Sequence, residues 1–178
     1  MLEIQRLLIS IITDNGTYGF DERFSKGLNF IASTDNTCGK SSILEAIYYC
    51  LGFEEIIGAQ SEKVLTPVYK GNLKDGDAEY EVLQSSMFLQ ISNGFDIITI
   101  MRCAKMENRH SKLISVFYAP IEKMFDKDTD KEDMYVHSKN SAQHEKGFHA
   151  FLEKFLGMML PVVATTDSID RKLYLQLV

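Results

Sequence analysis

The tetrapeptide GKSS at residues 39–42 separates two kinds of hydrophobic pattern, and this change constrains the fold more than any other feature. Before it, residues 28–32 (LNFIA) predict a short buried strand. After it, apolar side chains recur at helical spacing up to Leu51, and Gly52 predicts the end of the helix. Residues 28–51 therefore predict a strand, a loop and a helix in that order.

The loop of this unit matches most of the Walker A pattern, G-x-x-x-x-G-K-[ST], with Thr34 in place of the first glycine. In this pattern, backbone N–H groups and the positive end of the helix surround a nucleotide phosphate. Gly39 permits close backbone approach, Lys40 places its ammonium between the β- and γ-phosphates, and Ser41 offers a hydroxyl to Mg²⁺. We therefore expect ATP and Mg²⁺ as cofactors, with Ser41 as the metal-binding residue. The expected nucleotide-binding residues are Asn36, Thr37, Cys38, Gly39, Lys40, Ser41 and Ser42.

Short-range patterns predict that most of the remaining chain is β-rich. The predicted strands lie in a hairpin over residues 2–24, a second hairpin over residues 79–91 and 95–103, and a strand over residues 113–119. Residues 53–76 and the charged stretch 123–133 predict irregular connections. Residues 143–156 predict an amphipathic helix, because their phenylalanine and leucine side chains fall on one helix face.

Composition narrows the cellular setting and the classes of partner. No apolar run approaches the ~18 residues that cross a bilayer, so we expect no membrane association. The formal net charge of −6 argues against nucleic-acid binding over the whole surface. The 3 cysteines form no C-x-x-C pair, which is typical of a reducing, cytoplasmic location.

The N-terminal part of the chain resembles the N-terminal lobe of SMC/RecF/RecN-type ABC ATPase heads. The resemblance rests on the first hairpin, the segment GLNFIAS, a loop of the form xDNxxGKSS and the helix ILEAIYYCLG. Those heads usually read G-x-N-G-[SA]-G-K-S-[ST] at this loop. Asn36 and residues 39–42 match that pattern, whereas Thr34, Thr37 and Cys38 depart from it.

Over residues 18–65 the sequence is also similar to SMC-like ATPases of Lamassu-type bacterial anti-phage defence operons. The broader resemblance implies an α/β P-loop NTPase fold, an ABC-ATPase-like N-terminal lobe with an antiparallel β subdomain. It implies a single lobe over residues 1–178, with the hairpin and phosphate loop in residues 1–52 and a β-rich and helical remainder in residues 53–178.

Several functional elements of that family are missing from the sequence. No Walker B carboxylate pair follows an apolar strand, and no LSGG-like signature motif is found. Gln176 is a candidate for the family's Q-loop glutamine. Arg6 and Arg23 are the nearest candidates for a basic residue that contacts the nucleotide from the side, although the sequence favours a solvated surface arginine at each position. We therefore assign no catalytic residue. We expect a fragment, or a separately made N-terminal lobe, of a larger coiled-coil ATPase, which by itself binds nucleotide weakly and hydrolyses it poorly or not at all.

The resemblance implies three partners: the C-terminal lobe of the same head, a second head, and DNA through the assembled complex. Two other functions stay open at this point. The chain is alternatively a non-catalytic scaffold whose altered loop no longer binds ATP, or a self-contained kinase or GTPase of the P-loop class. The lack of a downstream aspartate and base-recognition motif counts against the last of these.

Overall fold

A seven-stranded antiparallel sheet dominates the structure, a computed structural model. Two α-helices accompany it within the described part of the chain, so the expected α/β class is confirmed, with an antiparallel sheet as its main element. The described residues are 2–32, 39–58, 61–136, 147–158, 162–164 and 170–172.

The strands of the main sheet are β1 (Glu3–Thr13), β2 (Thr17–Arg23), β3 (Asn72–Asp75), β4 (Ala78–Ser92), β5 (Ile97–Lys105), β6 (Leu113–Phe117) and β7 (Lys131–Tyr135). Their order is β2-β1-β4-β5-β6-β7, and β3 pairs with the first residues of β4. A separate pair consists of β8 (Val162–Ala164) and β9 (Asp170–Lys172). The helices are α1 (Lys40–Cys50) and α2 (Phe148–Leu156), with short 3₁₀ turns at Glu54–Ile57, Ser61–Val64, Pro67–Tyr69 and Ile121–Lys123.

The predictions from short-range patterns hold for most of these elements. Both hairpins are confirmed as β1–β2 and β4–β5, and the predicted strand after them is confirmed as β6. The helix after GKSS begins at Lys40 and ends before Gly52, as expected. Within the described residues the second predicted helix is α2, and the first residues of that prediction, 143–146, lie outside them.

Three predictions of local structure were wrong. Residues 28–32 form no strand, and Leu28 and Phe30 are 77% and 83% exposed. A strand needs a neighbour to satisfy its backbone groups, and within the described residues no strand pairs with this segment. The stretches predicted as irregular contain β3 and β7, since pairing with β4 and β6 overrides their polar composition.

The hydrophobic core lies between one face of the sheet, here called the core face, and the two α-helices. Alternate residues of the central strands point to this face, as the two-residue period of a strand requires. Its buried members include Leu7, Ile9 and Ile11 of β1, Met87, Leu89 and Ile91 of β4, Ile98 and Ile100 of β5, Ile114 and Val116 of β6, Ala46, Tyr49 and Cys50 of α1, and Phe148 and Leu152 of α2.

The opposite face of the sheet, here called the outer face, carries a smaller apolar cluster. The cluster consists of Phe88, Phe117, Ile121 and Met124, with Leu8 and Met101 packed against it. Phe125 adds edge contacts to two of these rings while its side chain stays 71% exposed. The 3₁₀ turn after β6 therefore closes over the middle of the outer face.

A buried ion pair fixes the C-terminal end of α1 to the sheet. The guanidinium of Arg102 on β5 donates to both carboxylate oxygens of Glu54, at 3.1 and 2.8 Å, and both side chains are fully buried. The same guanidinium donates to the carbonyls of Tyr49 and Ser111 at 2.6 and 2.9 Å. It also lies 3.7 Å from the centroid of the Tyr49 ring, a cation–π contact. The network joins α1, the following turn and β5.

The variant Arg102→Met is expected to lower the free energy of unfolding by about 3–5 kcal/mol, because it leaves the carboxylate of Glu54 buried without its cation. Urea denaturation measures this change. The double variant Arg102→Met/Glu54→Leu also removes the buried carboxylate, and it is expected to recover much of the lost free energy of unfolding. A single variant as stable as the wild-type protein would contradict this account.

Candidate functional site

The residue immediately before α1 is a glycine in the left-handed backbone conformation. Gly39 has φ 70° and ψ 15°, a conformation that glycine adopts without steric cost. Within the described residues no side chain caps this helix end, and no acidic residue lies in the first turn. The first N–H groups of an α-helix have no acceptor within the helix, and the helix dipole places partial positive charge there. The end of α1 is thus suited to an anion.

The structure places four of the seven expected nucleotide-binding residues together. Lys40, Ser41 and Ser42 occupy the first turn of α1 immediately after Gly39. Lys40 is half-buried and Ser41 is exposed. The other three expected residues, Asn36, Thr37 and Cys38, lie outside the described residues, as do Thr34 and Gln176.

A segment that sequence reasoning did not associate with this site contacts the same helical turn. It comprises residues 65–70 and is called here the Thr66 segment. The hydroxyl of Thr66 lies 3.2 Å from the hydroxyl of Ser42, and the backbone N–H of Thr66 donates to Glu45 at 2.9 Å. The Tyr69 hydroxyl donates to the Ser42 carbonyl at 2.7 Å. Burial raises the pKa of Tyr69, which keeps this phenol a neutral donor.

An aromatic cavity of about 230 Å³ opens beside the start of α1. Tyr18 and Phe20 of β2 and Tyr69 of the Thr66 segment line it, together with Gly39 and Ile43. β2 is an edge strand of the sheet, and its side chains line the cavity opposite the first turn of α1. Aromatic walls next to a helix N-terminus that is suited to an anion also suit a ligand with an aromatic ring and a phosphate chain.

A second cavity of about 520 Å³ lies along another side of α1. Its lining includes Ile4, Phe24, Ile31, Leu44 and Ile47. The Leu44 side chain is 50% exposed, although it belongs to a helix whose opposite side is fully buried. This side of α1 is continuous with the exposed segment of residues 28–32, so an apolar surface runs along the helix.

The two arginines proposed for nucleotide contact lie on the outer face of the sheet, away from α1. Arg6 donates to both carboxylate oxygens of Asp21 at 2.7 Å and to Glu122 at 2.7 Å. Arg23 also donates to Glu122, whose turn packs on the outer face. The hydrogen bond from Arg6 lowers the pKa of Asp21, so this carboxylate stays charged. A contact from these arginines to a ligand at Gly39 is therefore not supported, because Arg6 alternates in orientation with the core residue Leu7.

Comparison with protein-family models, with curated proteins and with solved structures finds no match to this chain. In the described part of the chain, no helix has the length and apolarity needed to cross a membrane. Among the described residues, no group of three or more histidine, cysteine or acidic side chains could hold a metal ion.

Proposed function

We propose that this chain is the ATP-binding half of an SMC-like ABC ATPase head. The observation that supports the proposal is the left-handed backbone of Gly39, which immediately precedes Lys40 and Ser41 at the start of α1. This is the glycine–lysine–serine order of a phosphate-binding loop, at a helix end for which the described residues supply no side-chain cap. The head would act in DNA maintenance or anti-phage defence, with ATP holding two heads together as a switch.

In this proposal each residue of the first turn has a separate task. The Lys40 ammonium would lie between the β- and γ-phosphates, and the Ser41 hydroxyl would be a ligand for Mg²⁺. Ser42 donates to the α-phosphate. Backbone N–H groups at the start of α1 neutralise charge on the phosphate chain. The residues described here position the nucleotide, and hydrolysis would require groups from the C-terminal lobe and the second head.

The variant Lys40→Ala is expected to abolish detectable Mg²⁺–ATP binding, because it removes the cation that stabilises the β- and γ-phosphates. Isothermal titration calorimetry on the wild-type chain and the variant tests this. The matched control is Lys63→Ala, since Lys63 is an exposed lysine in the turn that precedes the Thr66 segment. Wild-type protein that fails to bind Mg²⁺–ATP would instead favour a non-catalytic scaffold.

The aromatic cavity supports a nucleotide over a bare phosphate, because Gly39 and Ser42 line it together with aromatic rings on which a base would stack. We expect Tyr18→Ala to weaken ATP binding about 5- to 100-fold, the range for loss of one base-stacking contact. Binding of inorganic tripolyphosphate should stay unchanged, since that ligand has no base. Tyr135→Ala, at a half-exposed tyrosine on the other edge strand β7, is the control. Equal losses for both ligands would contradict a base site.

The apolar surface along α1 supports the C-terminal lobe of the same head as a partner. Ile31 and Leu44 line the cavity of about 520 Å³, and Leu28 and Phe30, which lie close to Ile31 in the chain, expose large apolar side chains. Burying such side chains stabilises an interface by about 25 cal/mol per Å² of apolar surface. A second lobe that added a strand beside residues 28–32 would also satisfy their backbone groups.

We expect Phe30→Asp to weaken the complex between this chain and the C-terminal lobe at least about tenfold, because it places a charge in an apolar interface. Co-expression followed by quantitative affinity capture measures this. Phe125→Asp is the matched control, since Phe125 is similarly exposed but lies on the outer face. Equal weakening by the two variants would place the partner elsewhere.

A further inference from the structure

Two side chains of the Thr66 segment contact Ser42, one at its hydroxyl and one at its backbone carbonyl. The hydroxyl oxygens of Thr66 and Ser42 are 3.2 Å apart, and the Tyr69 hydroxyl donates to the Ser42 carbonyl at 2.7 Å. Ser42 belongs to the helical turn that starts with Lys40. The Thr66 segment therefore contacts Ser42, the last residue of GKSS and the third residue of α1, at two separate atoms.

The position of Thr66 is itself fixed by local structure. Pro67 follows it and restricts its backbone to the extended region, where it has φ −56° and ψ 154°. Its N–H donates to the carboxylate of Glu45, which lies on the same helix as Ser42. On either side, Leu65 and Tyr69 are buried at 3% and 2% exposure. The Thr66 hydroxyl is therefore held in place before any ligand arrives.

The direction of the hydrogen bond between the two hydroxyls decides its effect on an anion. Either oxygen is able to act as the donor. If Thr66 donates to Ser42, the Ser42 proton points away from Thr66 and is free to meet a phosphate oxygen. An anion at the start of α1 favours this arrangement, because hydrogen bonds in a chain polarise and strengthen one another.

We propose that Thr66 is a positioning residue for nucleotide binding, acting through the Ser42 hydroxyl. Thr66 donates to Ser42, and Ser42 donates to the α-phosphate, so the Thr66 segment sets the affinity of the site. This inference rests on the proposed function. It adds a residue 24 positions beyond Ser42 in the sequence to a site otherwise built from a contiguous loop.

Calorimetric titration of the full chain with Mg²⁺–ATP tests the proposal in four variants. Thr66→Val keeps the shape and the backbone N–H but removes the hydroxyl, and it should weaken binding about three- to tenfold, as expected for one hydrogen bond. Thr66→Ser restores a hydroxyl and should bind within about twofold of wild type. In the Ser42→Ala background, adding Thr66→Val should cause no further loss, because the two residues act as one unit.

The outcomes separate this inference from the proposed function. If wild-type protein binds Mg²⁺–ATP and Thr66→Val binds equally well, Thr66 has no positioning role and the phosphate site stands. Full additivity of the two substitutions would overturn the inference in the same way. Absence of wild-type binding overturns both. Melting temperatures without nucleotide verify that each variant is folded, and Thr66→Ala replaces Thr66→Val if the valine variant does not fold.

Discussion

The burial of one side of α1 against the core face of the sheet determines the geometry around the start of that helix. Ala46, Tyr49 and Cys50 have no exposed surface, and the Tyr49 hydroxyl donates to two carbonyl groups on and beside β5. Arg102 then ties the end of the helix to Glu54. Because a helix is rigid, fixing its C-terminal half against the sheet also fixes the direction in which its N-terminal N–H groups point.

The same packing separates the two ends of α1 chemically. At the C-terminal end, burial raises the pKa of both Tyr49 and Cys50, so the phenol and the thiol stay neutral and unreactive. At the N-terminal end, the first turn contains no acidic residue, and Lys40 and Ser41 reach the surface. The C-terminal end of α1 is therefore buried with neutral side chains, whereas its N-terminal end is polar and carries partial positive charge. This arrangement suits an anion at a fixed position.

Local sequence patterns predicted the elements whose structure depends on nearby residues. The β1–β2 turn follows from Asn15-Gly16, and the bounds of α1 follow from Gly39 and Gly52, both of which have positive φ. The same reasoning was wrong for residues 28–32, because no strand among the described residues pairs with this apolar segment. It also missed β7, whose residues are polar because they lie at a sheet edge.

The sequence by itself determined the hairpins and the helix that follows GKSS, because each depends on spacing or backbone freedom within a few residues. Only the tertiary structure decided which distant groups join them. It placed Thr66 on Ser42, and it directed Arg6 to Asp21 and Glu122 on the outer face. These contacts depend on strand order and on the packing of a surface segment, which are set by the burial of the whole core.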